Sequence, residues 1–310
     1  MMEMNAYPLV VEHLSKSLGG KPVIQDLSFS LERGKIYGFL GPNGSGKTTT
    51  IRMMVSLIKP DDGEVYIEGN SLSLNREQAL EHVGAIVENP DLYTYLTGMQ
   101  NLQHFADMSP RPITKERMEE VVKLVDLEHA IHRKVKSYSL GMKQRLGIAI
   151  SILHRPSVLL LDEPTNGLDP QGIRDLRDYL RQLATKDEVT LLVSSHQLSE
   201  IEMLCDRAVI IKNGQLVDEV SVKAMKEESE TVTVSIEVQP LLEAEQLLKE
   251  KWDVTQIEQH LEIKNVSFQE IPNVIHKLSQ ASLSVYSLSY KKRLEDAYFS
   301  LTEEKGGTSL

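Results

Sequence analysis

The sequence predicts an α/β domain with a mainly parallel sheet, followed by a small C-terminal α+β domain. Short apolar strands alternate with helical segments between residues 34 and 217, which is the pattern of a parallel sheet covered by helices. A mostly helical insert at about 97–153 interrupts this alternation. Near residue 222 the composition becomes charged and linker-like, which predicts one domain at 1–222 and a second at 223–310.

Apolar periodicity assigns the elements in order. Residues 9–35 form strands and tight turns, and the alternation at 23–31 is typical of a strand with one exposed face. Further strands are predicted at 34–40, 64–69, 83–87, 157–161 and 189–193, with a hairpin at 208–217. Helices are predicted at 49–55, 139–154, 172–184 and 198–204. In the second domain we predict strands at 231–238, 260–266 and 283–290, and helices at 241–251, 268–280 and 293–301.

A glycine-rich stretch joins the predicted strand at 34–40 to the predicted helix at 49–55. It reads G-x-x-x-x-G-K-T, and the site predicted there comprises Gly41, Pro42, Asn43, Gly44, Ser45, Gly46, Lys47, Thr48 and Thr49. The glycines let backbone N–H groups turn inward around an anion, and the helix N-terminus adds positive charge. Such a P-loop binds nucleotide phosphates. Lys47 is predicted to reach the β- and γ-phosphates, and Thr48 to ligate Mg²⁺.

Three polar residues follow strands of the same predicted sheet. Asp162 and Glu163 come after the strand at 157–161, and His196 after the strand at 189–193. At that edge Asp162 can reach the Mg²⁺ of the P-loop, and Glu163 can polarise a water for attack on the γ-phosphate. His196 can hydrogen-bond the γ-phosphate or the water. Taken singly, Asp162 and Glu163 are more simply interpreted as acids in a loop after a buried strand. His196 is more simply interpreted as a structural histidine.

Ser139 and Gly141 open the predicted helix at 139–154. The simple interpretation of Ser139 is an N-cap, because its hydroxyl can accept from a backbone N–H of the first turn. A helix N-terminus with a serine cap can also receive a phosphate. The residue types alone leave both interpretations open.

Over about residues 7–220, these motifs in this order resemble the nucleotide-binding subunits of ABC transporters. The P-loop matches the Walker A motif, and residues 159–163 match the Walker B motif. Residues 167–169 match the D-loop, and His196 matches the switch histidine. The signature motif is matched by Ser139, Leu140, Gly141 and Met142. The resemblance implies a P-loop NTPase domain with an antiparallel β subdomain and a helical insert, which binds ATP and Mg²⁺ and hydrolyses ATP.

The same resemblance implies how such a chain works. Two copies would pair head to tail around two ATP molecules, with Ser139 and Gly141 acting in trans on the γ-phosphate. Glu163 and His196 would serve hydrolysis, and Asp169 would couple the two sites. ATP binding would close the pair and hydrolysis would open it. This cycle would drive a separately encoded membrane permease, with the chain held peripherally at the cytoplasmic face of the membrane.

Four positions depart from the family pattern. Leu140 replaces the usual first glycine of the signature, Met142 its usual glutamine, and Glu88 the usual glutamine after the strand at 83–87. Leu18 stands where an aromatic ring often stacks on adenine, so apolar packing would replace stacking. Glu88 and the altered signature together resemble the bacitracin-resistance and lantibiotic-immunity type of exporter ATPase. In that type Glu88 would ligate Mg²⁺ and contact the permease. A lone substitution in another exporter subfamily is the alternative.

Composition narrows the function classes. A formal net charge of −11 argues against a broad basic face, so nucleic acid is not an expected partner. No stretch of the sequence approaches the roughly 18–20 apolar residues that span a bilayer. The single cysteine, Cys205, excludes an internal disulfide and is expected to be a small buried apolar residue.

The main hypothesis is therefore an ATP-hydrolysing motor subunit of an exporter, with antimicrobial peptides or antibiotics as the suggested cargo. One alternative is a soluble ABC ATPase without a transport partner, for example in iron–sulfur cluster assembly. Another is a nucleotide-gated regulatory protein without turnover, against which the retained Glu163 and His196 argue. The C-terminal domain resembles the accessory domain of such exporter ATPases, and its role stays open.

Overall fold

The computed structural model describes residues 6–88, 90–224 and 231–291. Contacts divide the chain into two compact units, Met1–Glu219 and Val220–Leu310. The predicted fold class, an α/β domain with a mainly parallel sheet, antiparallel strands and a helical insert, is confirmed in the first unit. The predicted helix at 293–301 lies outside the described residues.

A six-stranded sheet forms the centre of the first unit, in the order β10-β9-β3-β8-β7-β6. The pairs β3–β8, β3–β9, β6–β7 and β7–β8 are parallel. Every residue of β3 and β7 is buried, as expected for apolar strands that are covered on both faces. The strands are β3 (Ile36–Leu40), β6 (Val83–Ile86), β7 (Val158–Asp162), β8 (Thr190–Ser195), β9 (Arg207–Lys212) and β10 (Gln215–Ser221).

A second sheet of the first unit is antiparallel, in the order β2-β1-β4-β5. Its strands are β1 (Leu9–Leu18), β2 (Lys21–Leu31), β4 (Asp62–Ile67) and β5 (Asn70–Ser71). The predicted strand at 23–31 is thus longer at its start. One buried apolar cluster contains residues of both sheets and of the helix after β3, and the rings of Phe29 and Phe39 meet there with centroids 5.7 Å apart. Each aliphatic side chain fully buried in it contributes about 1.5–3 kcal/mol to folding.

Seven helices are described in the first unit: α1 (Lys47–Met54), α2 (Arg76–Leu80), α3 (Gly98–Asp107), α4 (Lys115–Leu124), α5 (Leu140–Ser151), α6 (Pro170–Lys186) and α7 (Leu198–Leu204). Thr97 and Gln100 form a capping box at the start of α3, and Thr114 caps α4. These caps fix where the two helices of the insert begin. Among the described residues, no helix is long and apolar enough to cross a membrane.

The second unit has its own apolar core, and its described residues 231–291 follow the order strand–helix–strand–strand–helix–strand. Its elements are β11 (Thr231–Gln239), α8 (Leu241–Lys249), β12 (Asp253–Ile257), β13 (His260–Ser267), α9 (Ile271–Gln280) and β14 (Ser284–Lys291). The sheet order β12-β13-β11-β14 with antiparallel pairs is that of a ferredoxin-like unit. The predictions omitted β12, because only Val254 of its five residues is buried and the apolar signal is weak.

Candidate nucleotide-binding site

The P-loop occupies the connection between β3 and α1, and its backbone needs glycine at defined positions. Gly44 and Gly46 have φ values of 79° and 104°, which L-residues with side chains rarely adopt. A Cβ on Gly46 would also collide with the side chain of Ile24, and one on Gly41 with the carbonyl of Ile211. The loop is therefore packed tightly against its neighbours, and this backbone conformation requires glycine at these positions.

Lys47 is buried inside this loop. Its Nζ donates to the carbonyl oxygens of Gly41, at 2.7 Å, and of Pro42, at 3.3 Å. Burial lowers the pKa of Lys47, and the charges of Glu163 and Asp162 act in the opposite direction. The ammonium group is thus held at the loop and lies within electrostatic reach of both acids.

The loop has the features of an anion site. The Oγ of Ser45 is buried and finds no hydrogen-bond partner within the described part of the chain. The first turn of α1 carries no acidic residue, and its cap, Gly46, supplies no side-chain acceptor. The N–H groups of that turn are left to an external acceptor. A phosphate fits this cradle, because it would accept from the Ser45 hydroxyl and from the helix N-terminus.

The ends of β7 and β8 lie side by side, with Asp162 paired to Ser194 in the sheet register. The Ser194 hydroxyl donates to Oδ1 of buried Asp162 at 2.5 Å and accepts from the N–H of Glu163 at 2.9 Å. One serine therefore ties the two strand ends together at the predicted phosphate edge. Sequence reasoning missed Ser194, because a serine at the end of a strand carries no signal of its own.

Glu163 and His196 meet across this edge. Nδ1 of His196 lies 3.1 Å from Oε1 of Glu163, and the Asn166 amide donates to the other carboxylate oxygen. Glu163 has a φ of 47°, so the chain turns sharply at the point where the acid leaves the strand. The structure thus brings together two predicted site residues that stand far apart in the sequence.

The predicted signature residues sit at the start of α5. The Ser139 hydroxyl accepts from the N–H of Met142 at 3.3 Å, so Ser139 is an N-cap in this chain. Leu140 is 42% exposed, and a Cβ on Gly141 would make only ordinary van der Waals contact, with Leu168 at 3.5 Å. A Cβ on Gly167 would lie 2.5 Å from Cδ2 of Leu140, so the signature contacts the predicted D-loop.

Asp169 of that predicted D-loop is a cap as well. Its Oδ1 accepts from the N–H of Gly172 at 2.8 Å, at the start of α6, and Pro170 occupies the first helical position. The pattern D-P-x-G is thus explained locally by helix initiation. This capping was not predicted from the sequence, although an acid followed by proline is a recognised signal for it.

Glu88 and Leu18 lie at the margin of the site. Glu88 forms an ion pair with Arg52 of α1 at 2.5 Å, and both side chains are partly exposed. The predicted Mg²⁺ ligand is therefore held by a cation of the P-loop helix. Leu18 ends β1 and is 44% exposed, which leaves its apolar surface open to a ligand.

The residues present fit a Mg²⁺ ion bound together with nucleotide. Among the described residues, no group of three or more His, Cys, Asp and Glu is arranged to hold a metal. Mg²⁺ is usually bound by one or two carboxylates and completes its shell with phosphate oxygens and water. The Thr48 hydroxyl and the Asp162 carboxylate match that donor set.

A P-loop on a parallel sheet, with an acidic pair and a histidine at two neighbouring strand ends, defines a P-loop nucleoside triphosphatase. Comparison with known proteins narrows this class. A family model described as ABC transporter matches residues 24–166. The chain is 46% identical over 299 residues to the uncharacterized ABC transporter ATP-binding protein YhcH of Bacillus subtilis (strain 168), covering 96% of each chain.

Two further comparisons agree. The chain is 40% identical over 247 residues to the bacitracin transport ATP-binding protein BcrA of Bacillus licheniformis, covering 80% of each. A solved structure of an ATP-binding subunit of an ABC transporter matches with a TM-score of 0.64 at 29% identity, over 71% of this chain and 92% of that one. The chain belongs to the ATP-binding proteins of ABC transporters, and its first unit is an ATPase domain. The resemblance drawn from the motifs is confirmed.

Proposed function

We propose that this chain hydrolyses ATP to power a separate membrane permease that exports antimicrobial peptides or related antibiotics. The observation that supports turnover most strongly is the contact between Glu163 and His196 at 3.1 Å, beside a P-loop whose lysine lies near Asp162 and Glu163. An ATPase needs its water-activating group and its phosphate cradle on one edge of the sheet, and this arrangement provides both.

In this proposal each residue has one task. Lys47 and the N–H groups of the P-loop bind the phosphates, and Leu18 packs on the base. Thr48 and Asp162 would hold Mg²⁺, and Glu88 would be the third ligand once it leaves Arg52. Bound Mg²⁺ neutralises charge on the phosphate oxygens. Glu163 accepts the proton of the attacking water, and His196 orients that carboxylate and the γ-phosphate.

The partner for Ser139 is a second copy of this chain. A capped helix start with an exposed Leu140 can meet a phosphate that lies outside its own P-loop. We infer head-to-tail pairing, with the signature of one copy closing over the ATP of the other. The contact between Leu140 and the turn at Gly167 supports coupling of this closure to the loop of Asp169.

A surface formed by residues that come after Glu88 in the chain supports docking to a membrane protein. The rings of Tyr93, Tyr95, His104 and Phe105 form one cluster with centroid separations of 4.8–6.4 Å. Tyr95 is 66% exposed. Met108, at the end of α3, is 58% exposed. Exposed aromatic clusters mark interaction sites. A permease bound there would hold the chain at the cytoplasmic face of the membrane.

The transported substrate is inferred from sequence similarity alone. The relative BcrA is named for bacitracin transport, and the glutamate at position 88 with the altered signature is the pattern from which this subfamily was predicted. Peptide antibiotics are therefore the first substrates to test.

The test compares a strain that expresses this chain and its permease with the same strain carrying Glu163→Gln. We expect resistance to a peptide antibiotic such as bacitracin only with the wild-type chain, while both proteins appear in the membrane fraction. Glu243→Gln, a change of an exposed acid in the first turn of α8, is the matched control. Equal resistance of the Glu163→Gln strain would overturn the motor role. Recovery of the wild-type chain solely from the cytosol would favour a soluble ATPase.

A further inference from the structure

Glu200 was not part of the predicted site, yet it touches both of the loops that form it. It lies in the first turn of α7, and its Oε2 accepts two hydroxyl hydrogen bonds. The donors are Ser195 Oγ at 2.7 Å and Thr165 Oγ1 at 2.8 Å. Both donor residues are buried, and the Ser195 hydroxyl also accepts from the N–H of Gln197 at 2.9 Å.

The two donors flank the catalytic pair. Thr165 follows Glu163 by two residues in the loop after β7, and Ser195 directly precedes His196 at the end of β8. A single carboxylate oxygen therefore links the loop of Glu163 to the loop of His196. This link is independent of the direct contact between those two side chains.

The surroundings favour strong bonds at this link. Thr165, Ser195 and Glu200 line a cavity of about 270 Å³ between α6 and α7, together with Arg174 and Arg177 of α6. Apolar side chains line most of the rest, among them Ile173, Leu176, Ile201 and Leu204. Hydrogen bonds to a charged acceptor are shorter and stronger than neutral ones, and an apolar setting strengthens them further.

We propose that Glu200 is a positioning residue, which sets the distance between Glu163 and His196 by holding Thr165 and Ser195. The effect of this positioning on ATP turnover rests on the function proposed above. A different role for the same acid is to stabilise the N-terminus of α7 through the helix dipole. The two roles differ in what they predict, because the dipole role needs neither hydroxyl.

Kinetics on the full-length chain separate the two roles. The variants are Glu200→Gln, Glu200→Ala, the pair Thr165→Val with Ser195→Ala, and the triple combination with Glu200→Ala. Glu202→Gln is the matched control, because it makes the same change of charge on the same helix. For each protein, kcat and KM for ATP are measured with saturating Mg²⁺, and folding is checked by thermal unfolding.

We expect Glu200→Ala to lower kcat about 10- to 100-fold, as small misplacements of catalytic groups do. KM should stay within about threefold, since the P-loop is untouched. The hydroxyl pair should lower kcat to a similar extent, and the triple variant should be no slower than the pair. Additive losses in the triple variant, an unchanged kcat in Glu200→Ala, or a loss in Glu202→Gln as large as that in Glu200→Ala would each overturn the proposal.

A second readout does not depend on turnover. Hydrogen exchange of the backbone amides at 163, 165–167 and 195–197 is compared between the wild-type chain and Glu200→Ala, which removes the acceptor of both hydroxyls. Faster exchange in both segments, with the rest of the sheet unchanged, supports the link. Unchanged exchange there contradicts it. If the wild-type chain itself hydrolyses no ATP, the proposed function fails, and the exchange experiment still decides the structural part.

Discussion

Nδ1 of His196 lies 3.1 Å from Oε1 of Glu163, while the Asn166 amide holds the other oxygen of the same carboxylate. Both oxygens of the acid are thereby held by neighbouring side chains. Because the two residues leave the adjacent parallel strands β7 and β8, their alignment depends on the register that pairs Asp162 with Ser194. A shift in that register would separate them.

This relationship predicts non-additive kinetics. Glu163→Gln should lower kcat by about 10²–10⁴-fold, the usual contribution of a general base, and leave ATP binding nearly unchanged. Adding His196→Ala to Glu163→Gln should cost little more, because residues that act as a unit are not additive. Phosphate release at saturating ATP measures the rates. A double variant slowed by the full product of both single effects would mean that the two side chains act separately.

The P-loop glycines allow a matched pair of substitutions. Gly44→Ala should cost about 1–2 kcal/mol in free energy of unfolding, because only its left-handed φ is strained and nothing lies within 4 Å of the new Cβ. Gly46→Ala should cost about 1–3 kcal/mol more, because its Cβ also meets Ile24. Urea unfolding and ATP titration check both. Equal losses would show that the contact with Ile24 is easily relieved.

The ion pair between Arg52 and Glu88 should contribute little to stability. Both side chains are more than one third exposed, and exposed pairs are worth about 0.2–1 kcal/mol. A double-mutant cycle with Arg52→Ala and Glu88→Gln, followed by urea unfolding, should give a coupling in this range that shrinks in 1 M salt. A coupling well above this range would mean that Glu88 is committed to Arg52 and is unsuited to a role at the nucleotide.

Leu18 offers a test of where the base packs. Leu18→Tyr would provide a ring for stacking worth about 0.5–1.5 kcal/mol, which is about a two- to tenfold gain in affinity for ATP. Leu57→Tyr is the control, since Leu57 is exposed and lies in the turn after α1. Titration with a fluorescent ATP analogue gives both affinities. If Leu18→Tyr binds no better than Leu57→Tyr, the base lies elsewhere.

His154 should make the free energy of unfolding depend on pH. Burial lowers the pKa of His154, whose Nε2 lies 3.0 Å from the carbonyl oxygen of Val83. The unfolded chain then takes up a proton near pH 6.5, while the folded chain takes it up only at lower pH. The contribution is therefore complete above the unfolded pKa and is lost as the pH falls from that value towards the folded one.

His154→Gln removes this titration but keeps a side-chain donor for Val83. Urea midpoints of both proteins at pH 7.5 and pH 5.5 give the comparison. We expect the wild-type chain to lose more stability on acidification than the variant does. Equal losses would show that other groups account for the acid sensitivity.

Much of the site could be predicted because its chemistry demands particular residue types at strand ends. A phosphate cradle needs glycines at the positions of Gly44 and Gly46, and an acid after a buried strand of the same sheet arrives at the same edge. His196 was placed there by the same reasoning. The actual contact of His196 with Glu163 depends on strand register, which the sequence does not specify.

The residues that escaped prediction carry no distinctive local pattern. Serine, asparagine and glutamate are common in loops and first helical turns, so Ser194, Asn166 and Glu200 became visible only through their partners. Short elements escaped for a related reason. The helix α2 has five residues and the strand β5 has two, which is too few for apolar periodicity to register.

Cys205 follows α7 and is 5% exposed, as expected for a small buried apolar residue, and burial raises the pKa of its thiol. At neutral pH the sulfur is therefore neither accessible nor ionised, and maleimides will not modify it in the folded chain. A cysteine introduced at an exposed position such as Leu57 then becomes the sole labelled site. Fluorophores at that site would report on the proposed head-to-tail pairing, without prior removal of the native thiol.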